Sequence, residues 1–159
     1  MTGKSVNKKM GPILSVDQVS VQFKKKKQLL TAVDKVSFQV SPGEILGIVG
    51  ESGCGKSVTS LAIMGLLAPN ASVSEGRILY EGRDILRSTE KEMCSLRGNK
   101  ISIIFQDPMT ALNPTVTIGK QLIEPFIIHQ GYKKPEAWSQ AVGMLSKVGI
   151  SSPEERMRQ

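Results

Sequence analysis

The chain has 159 residues, 40% of them hydrophobic and 22% charged, a balance that suits an ordinary globular domain with a real core and excludes general disorder. A formal charge of +7 raises the question of a nucleic-acid partner, but only 4% of residues are aromatic and none interleaves with the lysines as a stacking platform would, so none is expected; the run Lys24-Lys25-Lys26-Lys27 reads as a solvated hairpin tip, with Lys4, Lys8 and Lys9 in a tail. No apolar run is long enough to span a bilayer, no secretory signal opens the sequence, and Cys54 and Cys94 fit neither a metal-ligand spacing nor a disulfide framework, which together predict a cytoplasmic chain.

In chain order, residues 1–12 are expected to be a flexible basic tail. Residues 13–23 alternate well enough for one half-buried strand or a pair of them, and Val33, Val36, Phe38 and Val40 repeat the alternation, which predicts an antiparallel β element. Ser41-Pro42-Gly43 is a turn leading into Glu44-Ile45-Leu46-Gly47-Ile48-Val49, a short β-branched run expected to be a buried strand ending at Gly50. Ser57 to Leu67 is apolar and of helix length, and Pro69-Asn70-Ala71 breaks it. Gly76 to Gly82 reads as a short strand bounded by glycines, and Thr89-Glu90-Lys91-Glu92 has the capping-box spacing of a short helix that Gly98 ends. Ile101 to Phe105 reads as a further strand. Beyond it the period becomes helical: Ile118, Leu122, Ile123, Phe126 and Ile127 share a face with a kink expected at Pro125, and Pro135 opens a second helix carrying Ala137, Ala141, Leu145 and Val148 before Gly149.

Between the expected strand and helix lies Gly50-Glu51-Ser52-Gly53-Cys54-Gly55-Lys56-Ser57, which fits G-x-x-x-x-G-K-[ST] in the context that pattern requires. Average residue usage predicts roughly 0.01 or fewer such matches by chance in a chain of this size. Glycines here let backbone amides converge on a phosphate, and the following helix adds the positive end of its dipole. Lys56 would reach the β- and γ-phosphates as a point charge, the Ser57 hydroxyl would enter the coordination shell of Mg²⁺, and Val58 lies at the edge of the same site. The expected ligand is therefore ATP with Mg²⁺.

Four segments resemble the ATP-binding subunits of ABC transporters, and within them those of dipeptide, oligopeptide and nickel importers: Ala32 to Phe38, Gly47 to Ser57, Ile104 to Pro114, and Val148 to Ile150 with the tail Pro153 to Gln159. The resemblance implies an α/β P-loop NTPase core of ABC type, incomplete, with an antiparallel β element before the P-loop and part of the helical subdomain after the Q-loop. Residues 13–159 would be the N-terminal half of the nucleotide-binding domain, divided into β element and P-loop core (13–114) and the start of the helical subdomain (115–159). Gln106 would be the Q-loop glutamine touching Mg²⁺ and the attacking water, and Phe23 the aromatic that stacks on adenine. Asp107 is not read as the metal carboxylate, because Gln106 interrupts the apolar run and Pro108 follows. The lone histidine, His129, falls in the predicted helix and reads as a surface or interface residue rather than a catalytic one.

The same resemblance implies transmembrane permease subunits and a second ABC ATPase subunit as partners, and a place on the cytoplasmic face of the membrane. The family's signature motif, Walker B carboxylates and switch histidine are not found in residues 1–159. The chain is thus expected to be a truncated subunit that binds ATP without efficient hydrolysis, with an exposed strand edge and apolar patches. A non-hydrolysing ATP-binding or permease-docking role stands as the alternative. A small P-loop enzyme such as a nucleotide kinase finds no support, for lack of acceptor-binding and lid arginines.

Overall fold

In the computed structural model, residues 11–26, 28–106 and 111–159 are described. Lys4, Lys8 and Lys9 of the expected tail, Lys27 of the lysine run, and the segment Asp107 to Thr110 lie outside the described residues. The chain divides into two compact units, Met1–Met93 and Cys94–Gln159.

In the first unit the alternation from Ile13 forms one long strand rather than two. This strand, β1 (Leu14–Lys25), pairs antiparallel with β2 (Gln28–Val40) on one side and with β3 (Ala71–Tyr80) on the other. β3 begins well before the glycine expected to bound it and turns back through Glu81 and Gly82, both at positive φ, into the short β4 (Arg83–Asp84). Two residues at positive φ match the right-handed twist of a hairpin. The sheet order is β2-β1-β3-β4. Lying between two partners, β1 buries Val16, Val19 and Val21, which pack with Val33 and Ile78 to form the core.

The long hairpin is not regular. Register shifts fall between Val16 and Val19 and again beyond it, with Gln18 and Lys35 in left-handed conformations, at φ 49° and 46°. Cross-strand hydroxyls supply the partners the ladder loses there: Gln18 N–H donates to Ser37 Oγ at 2.8 Å, and Lys35 N–H donates to Ser20 Oγ at 3.0 Å. Opposite the bulge, Gly76 sits at φ 90°, where a β-carbon would collide with the carbonyl oxygens of Asp17 and Gln18.

Helix α1 (Lys56–Met64) is shorter than the apolar run predicts, because Gly65 at φ 62° ends it; Gly65 N–H returns to Ala62 O and Leu66 N–H to Leu61 O. A single 3-10 turn (Ile85–Arg87) leads to α2 (Glu90–Leu96), and the expected capping box is present. Thr89 N–H donates to Glu92 Oε2 at 2.7 Å, Glu92 N–H donates to Thr89 Oγ1 at 3.4 Å, and the Arg83 guanidinium pairs with the same carboxylate.

The second unit is helical, built from α3 (Ile118–Gln130), α4 (Lys134–Lys147) and the unforeseen α5 (Pro153–Arg156). Pro125 lies within α3 and Pro135 in the first turn of α4, where Lys133 N–H donates to Glu136 Oε2. The end of the chain serves as a cap: Ile118 N–H donates to Gln159 O and Gly119 N–H to Met157 O, both at 2.8 Å. Met157 is fully buried with Ala137 and Ala141.

Two expected strands do not form. Glu44 to Val49 has no ladder partner among the described residues, and Ile45 and Val49 are 97% and 92% exposed. Ile101 makes only a lone bridge to Arg97, and Ile104 is 98% exposed. Apolar β-branched composition marks a segment suited to a buried parallel strand, but such a strand also needs a neighbour to pair with and cover on both faces. Among the described residues none supplies these.

Two measurements test the fold. Gly76→Ala should lower stability to urea by about 2 to 4 kcal/mol, since it combines a left-handed backbone with a backbone collision. Hydrogen bonding from Thr89 N–H, then the Arg83 and Thr89 side chains, holds the Glu92 carboxyl down from 4.5 to about 2. A folded-state value below the unfolded one means that the carboxylate's contribution is complete above pH 4.5 and is lost as pH falls towards about 2. Thermal melts of Glu92→Gln should therefore fall off less steeply than the parent's across that acid window, with the two parallel at neutral pH.

Candidate nucleotide-binding site

The loop Gly50 to Gly55 enters from the unpaired segment and leaves into α1. Gly53 and Gly55 take φ of 85° and 94°, conformations that cost an L side chain energy and cost glycine little. At Gly55 the requirement is also spatial: a β-carbon would lie 2.7 Å from Ala32 O and 2.9 Å from Val33 Cγ2, so the loop rests directly on β2. The Gly55 carbonyl accepts from Thr59 N–H at 2.9 Å and from Thr59 Oγ1 at 3.0 Å, which fixes how the helix starts. Thr59 is buried, and its role was not read from the sequence; its position one turn after Gly55 is the only signal.

No side chain caps α1, and its first turn carries no acidic residue. Its leading amides and dipole end are therefore open to an anion. Lys56 folds over this mouth, its Nζ donating to Gly50 O at 2.6 Å and Glu51 O at 2.7 Å and standing 3.4 Å from Cys54 Sγ. Ser57 is exposed and Val58 half-buried. A cleft of about 550 Å³ beside the loop is lined by residues of β2, the unpaired segment and α1, among them Val33, Ile48 and Lys56. This donor set fits a chain of phosphates: a glycine-rich loop, a helix N-terminus without a side-chain cap, one ammonium and one exposed hydroxyl for a metal that the phosphates would share. Among the described residues no cluster of His, Cys, Asp or Glu could hold a metal without such help.

The remaining sequence candidates lie elsewhere. Phe23 stands near the hairpin tip, paired with Leu30 on β2 and Ala71 on β3, and is half-buried. Gln106 is exposed and belongs to the second unit, while Asp107 is outside the described residues. His129 occupies the last turn of α3, as expected of a helical residue. In the second unit Gln121 clamps the loop before α3: its Oε1 accepts from Asn113 N–H at 2.8 Å, and its Nε2 donates to Asn113 O and Val116 O.

Known proteins fit this geometry. The family model of the ABC transporter matches residues 33–159. The chain belongs to the ABC transporter family. It is 51% identical over 151 residues to the dipeptide transport ATP-binding protein DppD of Bacillus subtilis (strain 168), covering 94% of this chain and 45% of that protein. To the oligopeptide transport ATP-binding protein AppD of the same organism it is 45% identical, covering 94% of this chain and 46% of the relative. To the dipeptide transport ATP-binding protein DppD of Escherichia coli (strain K12) it is also 45% identical, covering 91% and 44%. The chain thus spans about half the length of the curated relatives it matches. A solved dimeric ATP-binding cassette, MJ0796, in a post-hydrolysis state with ADP and Pi, superposes with a TM-score of 0.77 at 22% identity, over 91% of this chain and 61% of that one. At that identity the likeness shows the fold, an ABC ATPase cassette.

Gly55→Ala tests the seat of the loop in this ABC chain. The methyl group meets backbone rather than a movable side chain, so binding of a fluorescent ATP analogue should weaken about tenfold or more, the equivalent of 1.4 kcal/mol, while circular dichroism of the sheet stays close to that of the parent.

Proposed function

We infer that the chain is the nucleotide-binding part of an ATP-binding subunit of an ABC importer for peptides or related solutes. The observation that carries this reading is the Gly50 to Ser57 loop itself, an uncapped helix N-terminus with Lys56 held over it by two loop carbonyls. The peptide-transport names of relatives at 45–51% identity support the choice of solute class.

In the proposed complex, loop amides and the α1 terminus bind the β-phosphate, Lys56 leaves Gly50 O and Glu51 O to meet the β- and γ-phosphates, and Ser57 Oγ ligates Mg²⁺. Phe23 is the proposed adenine contact, and Gln106 the proposed Q-loop glutamine. The bound Mg²⁺ supplies charge neutralisation at the phosphates. Permease subunits and a second ATPase subunit are the proposed partners at the cytoplasmic face of the membrane; the dimeric form of the solved cassette supports the second. No helix among the described residues is long and apolar enough to cross a membrane.

These 159 residues are proposed to bind ATP without turning it over efficiently, because phosphoryl transfer needs a positioned water and a group that polarises it as well as a phosphate cradle. The experiment is ATP binding and Mg²⁺-dependent hydrolysis by the chain and by Lys56→Ala. Binding should fall about tenfold or more in the variant, consistent with loss of a charge-assisted contact of roughly 1.5 to 3 kcal/mol. Equal binding by both proteins would sink the assignment, and hydrolysis abolished by Lys56→Ala would refute the loss of turnover.

A further inference from the structure

We propose that the tip of the β1–β2 hairpin is an electrostatic rim of the nucleotide site: Lys24, Lys25 and Lys26 draw a polyphosphate towards the Gly50 to Ser57 loop and raise the rate at which it binds, without touching the phosphates once they are seated. The identity of the anion rests on the functional reading above, whereas the rim is a feature of the hairpin alone.

Local structure gives no reason for these lysines. Lys26 sits at φ 56°, where Asn or Gly is the low-cost residue of a hairpin turn, and adjacent ammonium groups repel one another. All three are exposed, and none joins an ion pair among the described residues. No carboxylate occurs in β1 beyond Asp17, in β2 before Asp34, or from Asn70 to Ser74, which runs alongside β1. The charge at this end of the sheet is left without a neutralising neighbour.

β2 carries both the tip and the seat of the loop. Gly55 rests on Ala32 and Val33, while Lys24 pairs with Leu29 and Lys25 with Gln28. At a strand rise of about 3.3 Å per residue, these lysines stand about 10 to 13 Å along the strand from the seat. The distance over which salt screens a charge is about 10 Å at 0.1 M and about 30 Å at 0.01 M, so the field of the tip reaches the loop in dilute salt and is lost in concentrated salt. Phe23, paired with Leu30, lies between the lysines and the seat, so the tip acts through its field and not by contact.

Around the loop itself the charges nearly cancel. Lys56 and Lys35 are offset by Asp34 in the cleft wall and by Glu51 in the loop. A near-neutral mouth exerts no long-range pull on a multiply charged anion, whereas a cleft bordered by charge of one sign raises the local concentration of its ligand and the rate of association. The lysines of the tip are the surplus that supplies this pull.

Stopped-flow fluorescence follows binding of a fluorescent ATP analogue to the chain and to the triple variant Lys24→Gln, Lys25→Gln, Lys26→Gln, whose circular dichroism should match the parent's because the three side chains are exposed. At about 0.01 M ionic strength the association rate of the variant should be about tenfold lower, and at about 0.5 M the two proteins should agree within about twofold. The dissociation rate should stay within about twofold of the parent's at both, as steering charges act on encounter. A control variant, Lys91→Gln, Lys100→Gln, Lys147→Gln, removes the same charge from exposed lysines outside the hairpin and should associate within about twofold of the parent's rate. If the triple variant fails to fold, Lys24→Gln alone should lower the association rate about twofold in dilute salt. The proposal is overturned if the tip variants associate as fast as the parent in dilute salt, if the deficit persists in concentrated salt, if it appears in the dissociation rate, or if the control variant shows it equally. Absence of binding by the parent chain would strike the functional reading itself; a parent that binds, with tip variants of unchanged rate, strikes this proposal alone.

Discussion

Where the Gly50 to Gly55 loop meets β2, Gly55 stands so close to Ala32 O and Val33 that no side chain fits between them, and the shape of the candidate nucleotide site follows from that contact. A glycine-rich loop has many accessible conformations, and its convergent amides are worth little to an anion unless something selects one of them. Here the selection comes from a strand that is itself held by its neighbours. β2 is paired with β1, β1 with β3, and the bulge that bends this hairpin is accommodated by Ser20 and Ser37 hydroxyls and by the missing side chain at Gly76. The antiparallel element, which carries none of the proposed phosphate ligands, is in this sense the foundation of the candidate phosphate site.

Electrostatics at the site follow from what is left out of α1 as much as from what is present. With neither a capping side chain nor an acid in the first turn, the helix keeps its amides and dipole end for a ligand. Lys56 is meanwhile held by two carbonyls of its own loop, and in the proposed complex the ammonium would exchange those neutral acceptors for charged phosphate oxygens. A stronger resident partner, such as a carboxylate, would have to be displaced at greater cost.

The two units differ in how completely they satisfy themselves. The helical unit closes on itself, with the carbonyls of Met157 and Gln159 capping α3 and Met157 filling the core. In the first unit the segment that delivers the chain to the loop remains unpaired and apolar on both sides, although it is adjacent to the best-defined chemistry in the molecule. A site can thus be locally built while the sheet around it is open.

Short-range information was legible in the residues alone. The loop pattern, the Thr89 to Glu92 capping box, the proline that starts α4 and the alternation of the hairpin each depend on contacts a few residues apart or on a single period, and each appears where the spacing puts it. The family was legible for the same reason, since Gly50 to Ser57 and the run around Gln106 are contiguous. The sequence could not decide whether Glu44 to Val49 and Ile101 to Phe105 become strands, because their apolarity states what they would bury and pairing is decided by a neighbour distant in the chain. Nor could it reveal that Gly55 leans on Ala32, that Gln121 clamps Asn113, or that the last residues cap α3. Those contacts are made by tertiary structure, which alone brings together groups whose separation along the chain leaves no periodic trace.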